Sequence, residues 1–489
     1  MRSLLHRLLA FHPAWLTLAF VLASVPVLAF LAVAVPAGEV PDEPAHILRA
    51  DSVRHGAATG FRRMRLDDQG DPAADTAIRA DIGLLAAALV FTPGTPLDGK
   101  HMSQARVAEV LRLPWANRLS ELSFPNTGVY PPLFYLPAAA GMQVAKWLRQ
   151  GPYVAILSAR LVNAALYAAL GATALHLARR GRAALFTVLC LPMSLSLAAS
   201  VNHDGLVIAC AGLAGALLTR TGRAAWWSGA ALLGAAAMAK PYLLPLALVV
   251  PATVPGGLRR NLGRAASGLA AAALPALAWG AAMAWFVAAP FVRGPAQPAG
   301  PLYAGPPGTL FPTTSPGEQA RILLAHPARL LTLPLRSAWD KGEWLWREGV
   351  GVLGTLDVKL PFGLYAAWGW ALGAAVLAAI LAPRAEPEKG RPAAAAATSA
   401  MAGAAASAWC VFILQYLSWT RVGDALVEGV QGRYFLPVAA LALPVAALPA
   451  LRVPAAAALR SVLALPAAAL ALAGLVVMPL VILNAYYLR

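Results

Sequence analysis

Acidic residues are scarce in this chain: 22 Asp and Glu stand against 39 Lys and Arg in 489 residues. Charged residues of both signs make up only 12%, against the ~25% of an ordinary soluble protein, which excludes a solvated globular domain. Cysteine is nearly absent. Cys190, Cys210 and Cys410 all lie in apolar runs, so no disulfide framework is readable. The net charge of +17 does not argue for a nucleic-acid partner. Many of the basic residues sit in short segments between apolar runs, where they orient a membrane protein.

What the sequence has in abundance is hydrophobicity: 59% of residues are apolar and the mean hydropathy is +0.63. Apolar runs recur to the C-terminus, several long enough to cross a hydrocarbon core of ~30 Å. The first runs from about Trp15 to Val35. Further spans are expected at 152–178, 184–200, 204–219, 224–238, 241–255, 265–290, 361–383, 398–419, 433–449 and 461–485. The basic start, Met1-Arg2-Ser3-Leu4-Leu5-His6-Arg7, resembles a signal peptide. No convincing small-residue cleavage site follows the long apolar stretch, so an uncleaved first helix is expected.

One segment decides the orientation. Tyr130 to Leu148 is apolar, yet Pro131, Pro132 and Pro137 crowd its first turns. Counted as a span, it would put Arg179, Arg180 and Arg182 outside and invert every later loop. Laid on the outer surface, it puts them inside, together with Arg220, Arg223, Arg259, Arg260, Arg264, Arg384, Lys389, Arg391, Arg452 and Arg460. The positive-inside bias selects the second arrangement. The expected fold class is therefore all-α: a polytopic transmembrane helix bundle of about eleven spans with the N-terminus cytoplasmic. Two long extracytoplasmic loops carry juxtamembrane helices. An N-terminal transmembrane module, 1–291, includes the outer loop 37–151; an outer loop, 292–360, and C-terminal helices, 361–489, follow.

This arrangement collects the unusual polar residues on one face. Pro41-Asp42-Glu43-Pro44-Ala45-His46 follows the first span, where desolvating two carboxylates and an imidazole is costly. If a helix starts at Asp42, then Glu43 and His46 (i, i+3) and Asp42 and His46 (i, i+4) share a face. Such a face binds a divalent cation or takes a proton from a hydroxyl. The same residues also read as an ordinary helix start, with Asp42 as N-cap and Pro44 in the first turn. Asp204 begins a span, either as part of a cap with Asn202 and His203 or as a second acidic group facing Asp42 and Glu43. Lys240, before Pro241, either snorkels or neutralises a phosphate. Arg433, beside Gly429-Val430-Gln431-Gly432, is suited to bidentate phosphate contact. Trp339, Trp344 and Trp346 read as an interfacial aromatic belt, although rings beside Asp and Arg also hold sugars. Asp67, Asp68, Asp71 and Asp75 read as a solvated loop, because their spacing matches no calcium loop.

Several segments, in order over almost the whole chain, carry a resemblance. They are Pro41 to His46 with Arg49, Tyr130-Pro131-Pro132-Leu133-Phe134-Tyr135, Ser158-Ala159-Arg160-Leu161 with Asn163, and Ser200 with Asp204-Gly205. Ala239-Lys240-Pro241, Gly351 to Pro361 with Asp357, and Val430 to Pro437 complete the set. Together they resemble a bacterial domain-of-unknown-function family of polytopic membrane proteins, itself similar to the GT-C glycosyltransferases. The resemblance implies an inverting transferase in the bacterial inner membrane. It would move a sugar from a polyprenyl-phosphate donor to an envelope glycan, lipid or protein acceptor on the outer face. It places catalysis on Asp42, Glu43 and Asp204. Substrate binding falls to His46, Arg49, Tyr130, Lys240, Tyr242, Asp357, Gln431, Arg433 and Tyr434. A divalent cation (Mg or Mn) would rest on Asp42, Glu43 and His46. The partners expected are the lipid-linked donor, an acceptor and the bilayer. The rival from another class is a transporter or flippase for a lipid-linked or anionic solute. It suits interrupted helices, but it calls for polar residues near the midplane and for an internal repeat that the sequence does not show.

Overall fold

The computed structural model describes residues 15–66, 72–91, 102–124, 126–382, 393–447, 451–452 and 456–488. Among them, six helices are long and apolar enough to cross a membrane: Trp15–Ala34, Pro152–Leu177, Leu262–Phe286, Phe362–Ile380, Ala394–Ser418 and Ala458–Tyr486. Asp204–Leu218, Pro241–Ala252 and Gly432–Ala446 are apolar but shorter. The protein is thus a polytopic helical membrane protein. Six segments meet the length criterion where about eleven spans were expected from apolar runs.

Proline accounts for much of the difference. The run expected at 184–200 is two helices, Arg182–Cys190 and Pro192–Ala198, with Leu191 extended at ψ 137° between them. Pro192 lacks an N–H and forces its predecessor out of the helical region. The run at 241–255 contains Pro241, Pro245 and Pro251, and it winds as a 3₁₀ segment, Pro241–Leu248, followed by Val249–Ala252. The Pro-rich segment after Tyr130 forms a 3₁₀ turn, Pro132–Tyr135, and a helix, Leu136–Trp147. Twelve residues rise only ~18 Å and cannot cross alone. This helix packs closely on Pro152–Leu177: a Cβ on Gly141 would lie 2.8 Å from the Ser158 carbonyl oxygen.

The long segments between the apolar helices carry more β-structure than the sequence suggests. The polar stretch 67–81, expected as a loop, includes a strand. Phe61–Leu66 (β1), Pro72–Asp81 (β2) and Leu119–Ser123 (β3) form an antiparallel sheet in the order β1-β2-β3. Asp75 is buried there, accepting from Ser123 Oγ at 2.6 Å and Arg63 Nε at 3.1 Å, so cross-strand partners compensate its burial. Asp67, Asp68 and Asp71 lie outside the described residues. Thr76 ties the sheet to the end of the Leu262–Phe286 helix, donating to Val287 O at 2.8 Å and accepting from Ala289 N at 3.0 Å. In the segment after the Leu262–Phe286 helix a hairpin, Val292–Pro298 with Leu310–Thr313, precedes helices Pro316–Ala325 and Arg329–Gly351. Trp339, 93% exposed, stands on the outside of the latter helix, as an interfacial ring would.

Arg179, Arg180, Arg182 and Arg460 gather beside Trp15 and Leu16, at the start of the first helix. Asp42, Asp204, Lys240 and Arg433 gather beyond its other end. If the arginine end faces the cytosol, a membrane-impermeant maleimide applied to intact cells should label Asn126→Cys and spare Thr221→Cys. Both positions are exposed, and the three native cysteines would be replaced first. Labelling of Thr221→Cys alone would reverse the orientation.

Candidate active site

Adjacent carboxylates in the Pro41–Pro44 segment point to different places. Asp42 adopts the left-handed conformation, φ 62°, which Asp tolerates better than most residues. Beyond it the chain enters the helix Glu43–Arg54. The turn sends Glu43 inward. Its Oε1 accepts from Arg160 Nε at 2.7 Å and Val201 N at 3.0 Å, and its Oε2 from Gly38 N at 3.0 Å. Arg160 also donates to Ala32 O at 3.3 Å and Pro36 O at 3.0 Å, closing the carbonyl end of the first helix. Both side chains are fully buried. Glu43 therefore does not reach the cavity, which corrects its expected catalytic and metal-ligating roles.

Asp42 makes no side-chain cap to its own helix, so the N-cap reading does not hold. Its carboxylate is 44% exposed and pairs with Arg433. Burial of the surroundings would raise its pKa, but the Arg433 guanidinium and then His46 hold it below the usual carboxylate range. Arg433 sits in a 3₁₀ turn, Gly432–Phe435, and Nη1 donates to Pro41 O at 3.1 Å. Gly432 permits this turn: a Cβ there would lie 2.0 Å from the Leu345 carbonyl oxygen. Its N–H donates to Glu348 Oε2 at 2.8 Å.

Asp204 opens the helix Asp204–Leu218, but Asn202 does the local capping, accepting from Asp204 N at 2.9 Å. The freed carboxylate meets Lys240 Nζ at 2.6 Å, His203 Nε2 at 3.3 Å and Arg433 Nη1 at 3.8 Å. The Lys240 ammonium also lies 5.2 Å from the Tyr130 ring centroid and 5.7 Å from that of Tyr434. Asp42, Asp204, Lys240 and Arg433 border one cavity of about 620 Å³, together with His46, Tyr130, Gln431 and Tyr434.

Sequence reasoning missed two buried groups behind this wall. The Tyr135 hydroxyl lies 2.7 Å from both His46 Nδ1 and His203 Nδ1. A phenol has one proton, so one imidazole donates to it and the other accepts from it. Burial pushes the His46 pKa down to about 4, against the pull of Asp204 and Asp42, and the ring is neutral at pH 7. Tyr135 ends the Pro-rich segment that starts at Tyr130 and His203 precedes Asp204, but nothing local signals that they meet. Trp419, stacked on Phe291 with centroids 4.6 Å apart, was also missed and borders the cavity.

Three expected binding residues stand elsewhere. Arg49 is buried, donating to the Ala57, Ala58 and Tyr130 carbonyls, and so it braces the segment that follows the first helix. Asp357 occupies the turn of a short hairpin, Val352–Leu353 with Val358–Lys359, beside Gly354. Tyr242 is buried behind Tyr434, centroids 6.3 Å apart. Among the described residues no group of three or more His, Cys, Asp and Glu is arranged to hold a metal ion. With Glu43 turned inward, Asp42, Glu43 and His46 do not form the expected ligand set.

The protein is a polytopic helical membrane protein whose charged side chains meet in a cavity at the ends of its helices. The chain belongs to the predicted membrane protein family DUF2142, whose family model matches residues 4–442. No curated protein and no solved structure matches it.

The buried ion pair generates a prediction that separates neighbouring acids. Glu43→Ala leaves Arg160 uncompensated and should cost about 3–5 kcal/mol of stability. Asp42→Asn, at a half-exposed position, should leave the melting temperature in detergent nearly unchanged. Equal thermal losses in the two variants would contradict this division.

Proposed function

We propose that this protein is an integral-membrane glycosyltransferase that moves a sugar from a polyprenyl-phosphate donor to an acceptor on the outer face of the membrane. The observation that carries the reading is the open Asp42 carboxylate in a cavity that also presents Arg433 and Lys240. Such a transfer needs a group to take the acceptor's hydroxyl proton and positive charge where the leaving phosphate forms. Asp42 has the first role. Arg433 and Lys240 have the second, and a phosphate drawing Arg433 away from Asp42 would free the carboxylate to act. Asp204 holds both cations in place. Tyr130, Tyr434 and Trp419 offer ring faces for a pyranose.

An apolar route for the lipid tail supports the same reading. The helices Leu262–Phe286 and Ala393–Ser418 both pack on the 3₁₀ segment Pro241–Leu248. Pro241 and Leu248 of that segment remain exposed, and Ala284, Ala288 and Phe291 border the cavity above it. The GT-C likeness adds to this reading, as an acidic residue just after the first span has the corresponding role in those enzymes. The residues present do not fit a resident divalent cation, since Asp42 and Asp204 are matched by Arg433 and Lys240 and Glu43 by Arg160. A transporter or flippase fits less well, because the ionisable groups gather at helix ends and not along a path through the bilayer.

Purified protein incubated with radiolabelled polyprenyl-phosphate sugars and membrane extracts should transfer label, with or without chelator. Asp42→Asn should lower the rate ~10²–10⁴-fold. Full activity of that variant would remove Asp42 from the mechanism. No turnover with any donor, alongside solute uptake in vesicles, would overturn the transferase.

A further inference from the structure

The hydrogen-bonded chain from His46 through Tyr135 to His203 has a direction, and Asp204 sets it. The Tyr135 hydroxyl lies 2.7 Å from Nδ1 of both rings, so it donates to one imidazole and accepts from the other. Two orders satisfy this. Either His46 Nδ1–H donates to Tyr135 and Tyr135 to His203, or the donors run the opposite way. The second nitrogen of His203 decides between them. Nε2 is buried and has no hydrogen-bond partner among the described residues, and Asp204 Oδ1 lies 3.3 Å from it. A carboxylate at that distance repels a lone pair and attracts an N–H. Lys240 and Arg433 keep Asp204 ionised. The proton of His203 is therefore on Nε2, its Nδ1 accepts from Tyr135, and Tyr135 accepts from His46 Nδ1. Packing holds the order in place. His203 stands at 81° to the rings of His46, Tyr130 and Tyr135, with centroids 4.9, 4.5 and 5.2 Å away.

With its proton on Nδ1, His46 keeps a bare Nε2. The residue borders the Asp42 cavity, and only its Nδ1 is engaged among the described residues. Asp42 pairs with Arg433 and makes no contact with the imidazole, so it does not draw the proton to Nε2. Burial keeps the ring neutral at pH 7. A neutral, bare nitrogen accepts a hydrogen bond and repels an oxyanion, whereas Lys240 and Arg433 attract one. The cavity thus offers two unlike ends. Tyr130 joins them, its ring 5.2 Å from Lys240 Nζ and nearly parallel to the His46 ring at 6.1 Å, which puts both within reach of one sugar phosphate.

We propose that His46 Nε2 accepts a hydrogen bond from a hydroxyl of a phosphorylated sugar, free or lipid-linked, whose phosphate lies at Lys240 and Arg433. Tyr135 and His203 are positioning residues: they lie behind the cavity wall and fix which nitrogen of His46 carries the lone pair. The sugar rests on the proposed transfer, but the direction of the chain does not.

The test uses the full-length protein in lipid, with isotopically labelled histidine and nitrogen NMR. The two rings are assigned by the signals lost in His46→Phe and His203→Phe. At pH 7 the proton should lie on Nδ1 of His46 and on Nε2 of His203, and Tyr135→Phe should abolish this fixed pairing. The opposite tautomers, or a His46 tautomer unchanged in Tyr135→Phe, would overturn the proposal without any ligand. The probes are the phosphates of glucose, mannose and galactose, each free and linked to a short polyprenyl chain. A probe that binds should shift the His46 Nε2 signal and leave the proton on Nδ1, and His46→Phe should bind it roughly three- to tenfold more weakly. Binding of the free forms would make the occupant a soluble sugar phosphate, and binding of the linked forms alone a membrane donor; both support the site. A probe that binds, or is even turned over, without moving the His46 signal overturns the inference and leaves the transfer standing. If no probe binds, the sugar phosphate falls and the transfer with it, whatever the tautomers.

Discussion

The geometry of the candidate site depends on one buried ion pair. Arg160, in the middle of a long helix, reaches both the Glu43 carboxylate and the open carbonyls at the end of the first helix. Charges in so apolar a place are tolerated only when every hydrogen-bonding group is matched, and Glu43 is matched by Arg160 and two main-chain N–H groups. This anchors the chain at residue 43. Asp42, one residue earlier, is then turned outward in a left-handed conformation, and its carboxylate comes to Arg433 almost four hundred residues further along the sequence. The pair thus converts two adjacent acids into a structural residue and an exposed one.

The cavity follows the same electrostatic logic at lower depth. Asp204 sits between Lys240 and Arg433, and Arg433 between Asp204 and Asp42. Alternation of sign keeps Asp204, Lys240 and Arg433 charged despite their burial. It also leaves the set responsive: an incoming anion competes for cations that are already desolvated and positioned, without reorganising the backbone. The pair His46 and His203, joined through Tyr135, forms a neutral backing to this charged row.

Much of this was legible in the sequence, for physical reasons that differ by element. The apolar runs announced a membrane protein because nothing else tolerates them. Polar residues at the ends of such runs stood out against that background, and so Asp42, Asp204, Lys240 and Arg433 could be singled out without a structure. The partner of Glu43 could not, because an arginine in an apolar helix does not reveal which carboxylate the fold will bring to it, here one 117 positions away. The strand Pro72–Asp81 was hidden by its acids, because Asp75 finds its partners, Arg63 and Ser123, only when the two flanking strands pair with it. Counting spans from apolar runs takes no account of the helix breaks that proline makes, as at Pro192 and Pro245, since hydropathy records composition and not continuity of hydrogen bonding.

The most direct measurement is photo-crosslinking with a polyprenyl-phosphate sugar carrying a photoreactive group beside the phosphate, mapped by peptide mass spectrometry. If the cavity at Asp42 receives the donor, label should fall on peptides around Tyr130, Lys240 and Trp419–Tyr434, and excess unmodified donor should displace it. Labelling spread over lipid-facing helices and insensitive to competitor would contradict the account.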